Sequence, residues 1–235
     1  MVDLLEQLPA SLRSVPLAVQ EMTGISVTIQ KINEDAVGGE FARASAVLDV
    51  DPDNNAVTIW VDPGSVSSSS VAHEVIHLRR NVVESVPKLF PSKGVSPAVA
   101  AMVWGVENDL EHMMIIPEEI TAFPEARDWW IDHYEIKAAR PASSPMEMSL
   151  HWALLRNLFP DEIELAQRYA ARLRSSGDLD LIKIADYLRE DFKNSRPHKR
   201  TMIEKLFDIF PGMREHANIG QYVMDGGRLV VRALS

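Results

Sequence analysis

The period of apolar positions changes along this chain, and the changes mark its elements. Between residues 3 and 21 the apolar positions Leu4, Leu5, Leu8, Leu12 and Val15 have helical spacing, interrupted by Pro9 and Pro16, which predicts one or two short helices. From Ile25 the period becomes two. Ile25, Val27 and Ile29 alternate with Ser26, Thr28 and Gln30, the pattern of a half-buried strand. Segments 41–50 and 56–61 read as two more strands. Asp51-Pro52-Asp53-Asn54-Asn55 between them is dense in turn-forming residues, so the pair predicts a β-hairpin. Asp62-Pro63-Gly64 closes this region, and the serines from Ser67 to Ser70 offer N-caps for a helix starting near Val71.

Beyond that point the chain reads almost entirely as helix, over about 69–84, 96–116, 124–139, 146–158, 161–175, 179–193 and 198–210. The breaks at Pro141, Pro145, Pro160, Gly177 and Pro197 suit helix-to-helix connections, and 221–234, with Asp225-Gly226-Gly227 at its centre, predicts a small C-terminal hairpin. The order predicts an α+β protein, a small N-terminal antiparallel sheet followed by a mainly helical body. We divide it into 1–140, which holds the sheet and the first long helices, and a helical C-terminal region, 141–235, packed on it as one unit.

Composition narrows the chemistry. At 235 residues, 46% hydrophobic and 25% charged, the chain can bury a sizeable core. It has no cysteine, which excludes a disulfide framework, a thiolate metal site and a thiol nucleophile. A net charge of −10 argues against binding nucleic acid or an anionic membrane. The first residues lack the basic start and unbroken apolar stretch of a secretory signal, and no apolar run approaches a bilayer span, so the setting expected is cytoplasmic.

One stretch carries chemistry: His73-Glu74-Val75-Ile76-His77. Residues four apart share a helix face, so His73 and His77 can present two imidazole nitrogens to one metal ion, with Glu74 beside the first. Zinc suits this arrangement, because it takes nitrogen and oxygen ligands tetrahedrally and leaves one position for water when three come from protein. Glu74 would then accept the proton as zinc-bound water attacks a carbonyl. Val71, Ala72, Val75, Ile76 and Leu78 make the helix apolar nearly all round, hence buried, and buried imidazoles need strong partners. A third ligand is expected from the next long helix, where Val106-Glu107-Asn108-Asp109-Leu110-Glu111-His112 offers Glu107, Asp109, Glu111 and His112.

HExxH on one helix, followed on the next by a glutamate and a second acid four residues later, resembles the gluzincin metallopeptidases, the thermolysin-like group in its broad sense. The resemblance covers about residues 24–116 and implies a zincin-like body. It also implies zinc held by His73, His77 and Glu107, with Glu74 as general base and Glu111 bracing a zinc-bound histidine. It further suggests an edge strand at 58–61 for an extended peptide. The function implied is zinc-dependent hydrolysis of peptide or protein substrates. The alternative is a catalytically silent zincin-fold module that regulates or binds partners. His133, Tyr134 and His151 are candidates for an oxyanion donor, though each also reads as packing. Arg79 and Arg80 could pair with Glu107, Glu111 or a substrate carboxylate, or balance a helix C-terminus. Trp129-Trp130 and Met113-Met114 read as packing, and His198-Lys199-Arg200 as a solvated helix start.

Overall fold

Breakers and caps fix the local boundaries. In the computed structural model, which describes residues 4–32, 45–139, 145–175, 180–195 and 198–234, Pro9 precedes α1 (Ala10–Arg13) and Pro16 sits in the first turn of α2 (Val15–Thr23). Helix α2 ends at Gly24, whose φ of 73° favours a residue without Cβ, and whose N–H closes the last turn on the Gln20 carbonyl at 2.8 Å.

Three strands follow: β1 (Val27–Lys31), β2 (Ala46–Asp51) and β3 (Ala56–Val61). The β2–β3 hairpin is antiparallel, from Ala46 opposite Val61 to Asp51 opposite Ala56, as the turn chemistry predicts. Asp51 secures the turn by accepting the Asn54 N–H at 3.0 Å. Strand β1 joins β3 in parallel, Val27 beside Val57, so the sheet is mixed, in the order β1-β3-β2. Segment 58–61 is therefore part of the central strand, and β2 occupies an edge. The reason is burial: Val57, Thr58, Ile59 and Val61 are all buried, and a strand covered on both faces belongs inside a sheet. The part of the expected 41–50 strand before residue 45 lies outside the described residues, as do the breaks at Pro141, Gly177 and Pro197.

The remainder is mainly helical, as expected of the α+β class. Helix α3 (Ser68–Leu78) runs into a wider π-helical turn at Arg79–Val83. After β4 (Lys88–Pro91) come α4 (Pro97–Ala122), α5 (Ala126–Ala139), α6 (Pro145–Leu158), α7 (Ile163–Ser175), α8 (Asp180–Ser195), α9 (Lys199–Ile209) and α10 (Met213–His216). Strands β5 (Ala217–Asp225) and β6 (Arg228–Ala233) form the C-terminal hairpin, and with β4 a second small sheet, β4-β5-β6. Helix α4 passes the end expected at residue 116. Pro117 lacks the N–H that would meet the Met113 carbonyl, but buried Ile115, Ile116 and Glu119 on both sides hold the chain in register.

The chain groups into two compact units. The first comprises Met1–Val86, Thr121–Phe123 and Gly220–Leu234; the second comprises Pro87–Ile120, Pro124–Ile219 and Ser235. The boundary drawn from sequence at residue 140 falls inside the second. In the first unit α3 packs on β2 and β3, and α2 on β1 and α3. Val57, Ile59, Val71, Val75, Ile76 and Leu78 form its core. Burial of such side chains stabilises by roughly 1.5–3 kcal/mol each. In the second unit α6 packs against α7 and α8, and α9 against α8 and β4, around Leu150, Leu154, Phe159, Tyr169, Phe192 and Leu206. No helix among the described residues is long and apolar enough to cross a membrane.

Candidate metal site

The serine run starts the key helix in a defined way. Ser67 has extended backbone, its hydroxyl accepts the Ser70 N–H at 3.1 Å, and the Ser70 hydroxyl accepts the Ser67 N–H at 2.9 Å. This reciprocal capping box satisfies donors that the first turn cannot pair internally. Val71, Ala72, Val75, Ile76 and Leu78 are fully buried, so the helix is fixed all round and its histidines have little freedom.

His73 and His77 are both buried. Their rings meet edge-on, centroids 4.7 Å apart at 77°, and their Nε2 atoms are 3.1 Å apart. Tetrahedral zinc with nitrogen ligands at about 2.0–2.1 Å sets two of them about 3.3 Å apart, so the pair fits a shared ion without rebuilding the helix. Glu74, between them in sequence, is half-buried, and its Oε2 accepts the Leu48 N–H of β2 at 2.9 Å.

On α4, Glu107, Asp109, Glu111 and His112 are all buried, and their surroundings separate their roles. Glu107 is surrounded by donors: Oε1 pairs with Lys199 and, at 3.3 Å, with Lys88, while Oε2 accepts the Leu89 N–H at 2.8 Å. Glu111 Oε2 pairs with the same Lys199 ammonium. Burial pushes the Lys88 ammonium down, partly offset by Glu107. Thus the glutamate expected as third ligand and the one expected as brace are bound to lysines. Lys199, expected on a solvated helix start, is 3% exposed. Sequence reasoning missed both lysines, because neither belongs to a local motif.

Asp109 faces elsewhere. Its carboxylate accepts from His151 Nε2 at 3.0 Å and pairs with Lys137 at 3.3 Å. Burial alone would raise the Asp109 carboxyl, but Lys137, His151 and the nearby His112 outweigh it and hold it well below the usual carboxylate range. Tyr134 is 1% exposed and burial pushes its phenol well up, with Asp109 adding to the rise. Its carbonyl accepts from the Tyr169 hydroxyl at 3.0 Å. His133 is half-buried and stacks on Trp129, centroids 5.3 Å apart at 18°. Arg79 and Arg80 both pair with Glu84, at 2.9 and 3.8 Å.

Of the four candidates on α4, Glu107 and Glu111 are held by Lys199 and Asp109 by Lys137 and His151, while His112 is a buried imidazole set edge-on against Trp130. His112 was one of four residues the sequence left open on this helix. Comparison of the chain with family models, curated proteins and solved structures finds no match in any of the three.

Proposed function

We propose that the protein is a zinc-dependent hydrolase, a metallopeptidase of the cytoplasm that cleaves peptide or protein substrates. The observation that carries this reading is the pair of buried HExxH imidazoles, Nε2 to Nε2 3.1 Å, with an acid adjacent in sequence. His73, His77 and His112 would hold the ion. Three imidazoles would leave one position for water, as the protein ligands of catalytic rather than structural zinc sites do. Zinc, when bound, supplies a Lewis acid and lowers the pKa of a coordinated water towards about 7.

The remaining work falls to protein groups. Glu74, held from one side by the Leu48 amide, takes a proton from the attacking water and delivers it to the departing amine. His73 and His77, as ligands, would have their ring lone pairs committed to the ion, so the carboxylate is the base within the motif. Net charge −10 favours neutral or basic substrates over acidic ones.

The test is elemental analysis of protein purified without added metal or chelator, beside His73→Ala and His112→Ala, followed by a peptide-library cleavage assay. We expect about one zinc per chain in wild type, loss in both variants, and cleavage that Glu74→Gln abolishes. A chain that neither carries nor takes up zinc sinks the proposal. One that holds zinc but cleaves no peptide or protein supports the silent, partner-binding alternative.

A further inference from the structure

We infer that Trp130 is a positioning residue for His112, clamping the imidazole from the side and tying it to Glu119; this rests on the reading of His112 as a metal ligand. The indole and imidazole rings meet edge-on, centroids 4.7 Å apart at 67°, and both side chains are buried. The indole N–H, the only polar group of the side chain, donates to Glu119 Oε2 at 2.9 Å. Glu119 is 3% exposed, and a carboxylate so placed holds a donor firmly, because leaving either group unmatched is expensive.

The placement along α4 explains why a clamp is needed there. His112 and Glu119 are seven residues apart, two helical turns, and so lie on the same face. Between them stands Pro117, which cannot donate to the Met113 carbonyl, so the backbone ladder lacks one rung in that stretch. Trp130, from α5, touches the helix on both sides of this gap. Its own orientation is fixed from behind by Trp129, edge-on at 4.7 Å, and by His133 at 5.4 Å. Metal-bound histidines are commonly oriented by a hydrogen-bonded carboxylate. Here an aromatic wall limits rotation of the His112 ring, and the Glu119 carboxylate holds that wall.

The experiment measures zinc affinity by chelator competition, and the visible absorption of the cobalt-loaded protein, for wild type, Trp130→Phe, Glu119→Leu and Glu119→Gln. The amide oxygen of Glu119→Gln still accepts the indole N–H, so that variant should stay close to wild type. Trp130→Phe and Glu119→Leu should each weaken zinc binding by about 10-fold or more and shift the cobalt bands. Far-UV circular dichroism checks folding. If Trp130→Phe does not fold, the Glu119→Leu and Glu119→Gln pair, which does not alter the ring facing His112, still decides. Affinities and cobalt bands equal to wild type in folded variants overturn the clamp alone. A wild-type chain that binds neither metal overturns the metal reading, and the clamp with it.

Discussion

Glu74 Oε2 accepts the backbone N–H of Leu48 at 2.9 Å, so an acid on α3 is anchored by an amide of β2. The register explains why that amide is available. The Ser45 carbonyl bonds the Asp62 N–H across the β2–β3 pair, and alternation along the strand turns Leu48, three residues on, to the outer side. The sheet edge thus holds one carboxylate oxygen of the residue that follows His73 in the motif. Glu74→Gln retains an acceptor for Leu48, so it should keep its zinc and its melting temperature while losing hydrolysis by roughly 10²–10⁴-fold. Matched-zinc kcat/KM on a peptide that wild type cleaves checks this. Equal rates in the two proteins would remove Glu74 from the chemistry.

The third ligand is decided by a pair of variants. His112→Ala should lose zinc, whereas Glu107→Gln should keep it and lose stability, because Lys88, Lys199 and the Leu89 N–H would face a weaker acceptor. Zinc content by elemental analysis, read beside urea unfolding, separates the two. A chelator should lower the melting temperature of wild type and of Glu107→Gln, since an ion bound only by the native state stabilises it, but leave His112→Ala unchanged. Zinc lost from Glu107→Gln and kept by His112→Ala would restore the glutamate as ligand.

What the sequence made legible was local. The HExxH pair needs only four-residue helical spacing, the Ser67–Ser70 box spans a single turn, and Pro160 stands beside the break between α6 and α7. The parallel pairing of β1 with β3 was not legible, because period two marks a strand and its faces but not its partner's direction. Nor was the passage of α4 through Pro117, where burial overrides a missing bond. The fate of Glu107 depends on Lys199, 92 residues away, and no spacing rule reaches that far. His112 was visible only as one polar residue among four on the same helix.

Lys199 serves two acids at once, with its side chain 1% exposed. Removing one partner from a buried ion cluster leaves charge in a medium that solvates it poorly, so Lys199→Met should destabilise by about 3 kcal/mol, the lower end of the usual range because Lys88 still reaches Glu107. Adding Glu107→Gln and Glu111→Gln to that variant should recover part of the loss by removing the stranded charges. Urea unfolding midpoints of the single and triple variants measure this. A single variant as stable as wild type would show the cluster to be energetically idle.

Asp109 gives the fold an acid-sensitive element whose sign can be worked out. Burial opposes its charge, but Lys137 at 3.3 Å and His151 at 3.0 Å prevail, so its folded pKa lies below the unfolded value of about 3.9. A depressed carboxylate contributes stability that is fully present above the unfolded pKa and is lost as pH falls through the folded one. Asp109→Asn should therefore cost about 2–4 kcal/mol near neutral pH, where it leaves Lys137 and His151 facing an amide. The gap between the two proteins should narrow only as pH drops below about 4, where wild type begins to lose the same contribution. Urea midpoints between pH 2.5 and 7, compared at about half-unit steps, trace that narrowing. A gap that stayed constant over the whole range would mean the Asp109 charge contributes nothing and that the variant acts through packing alone.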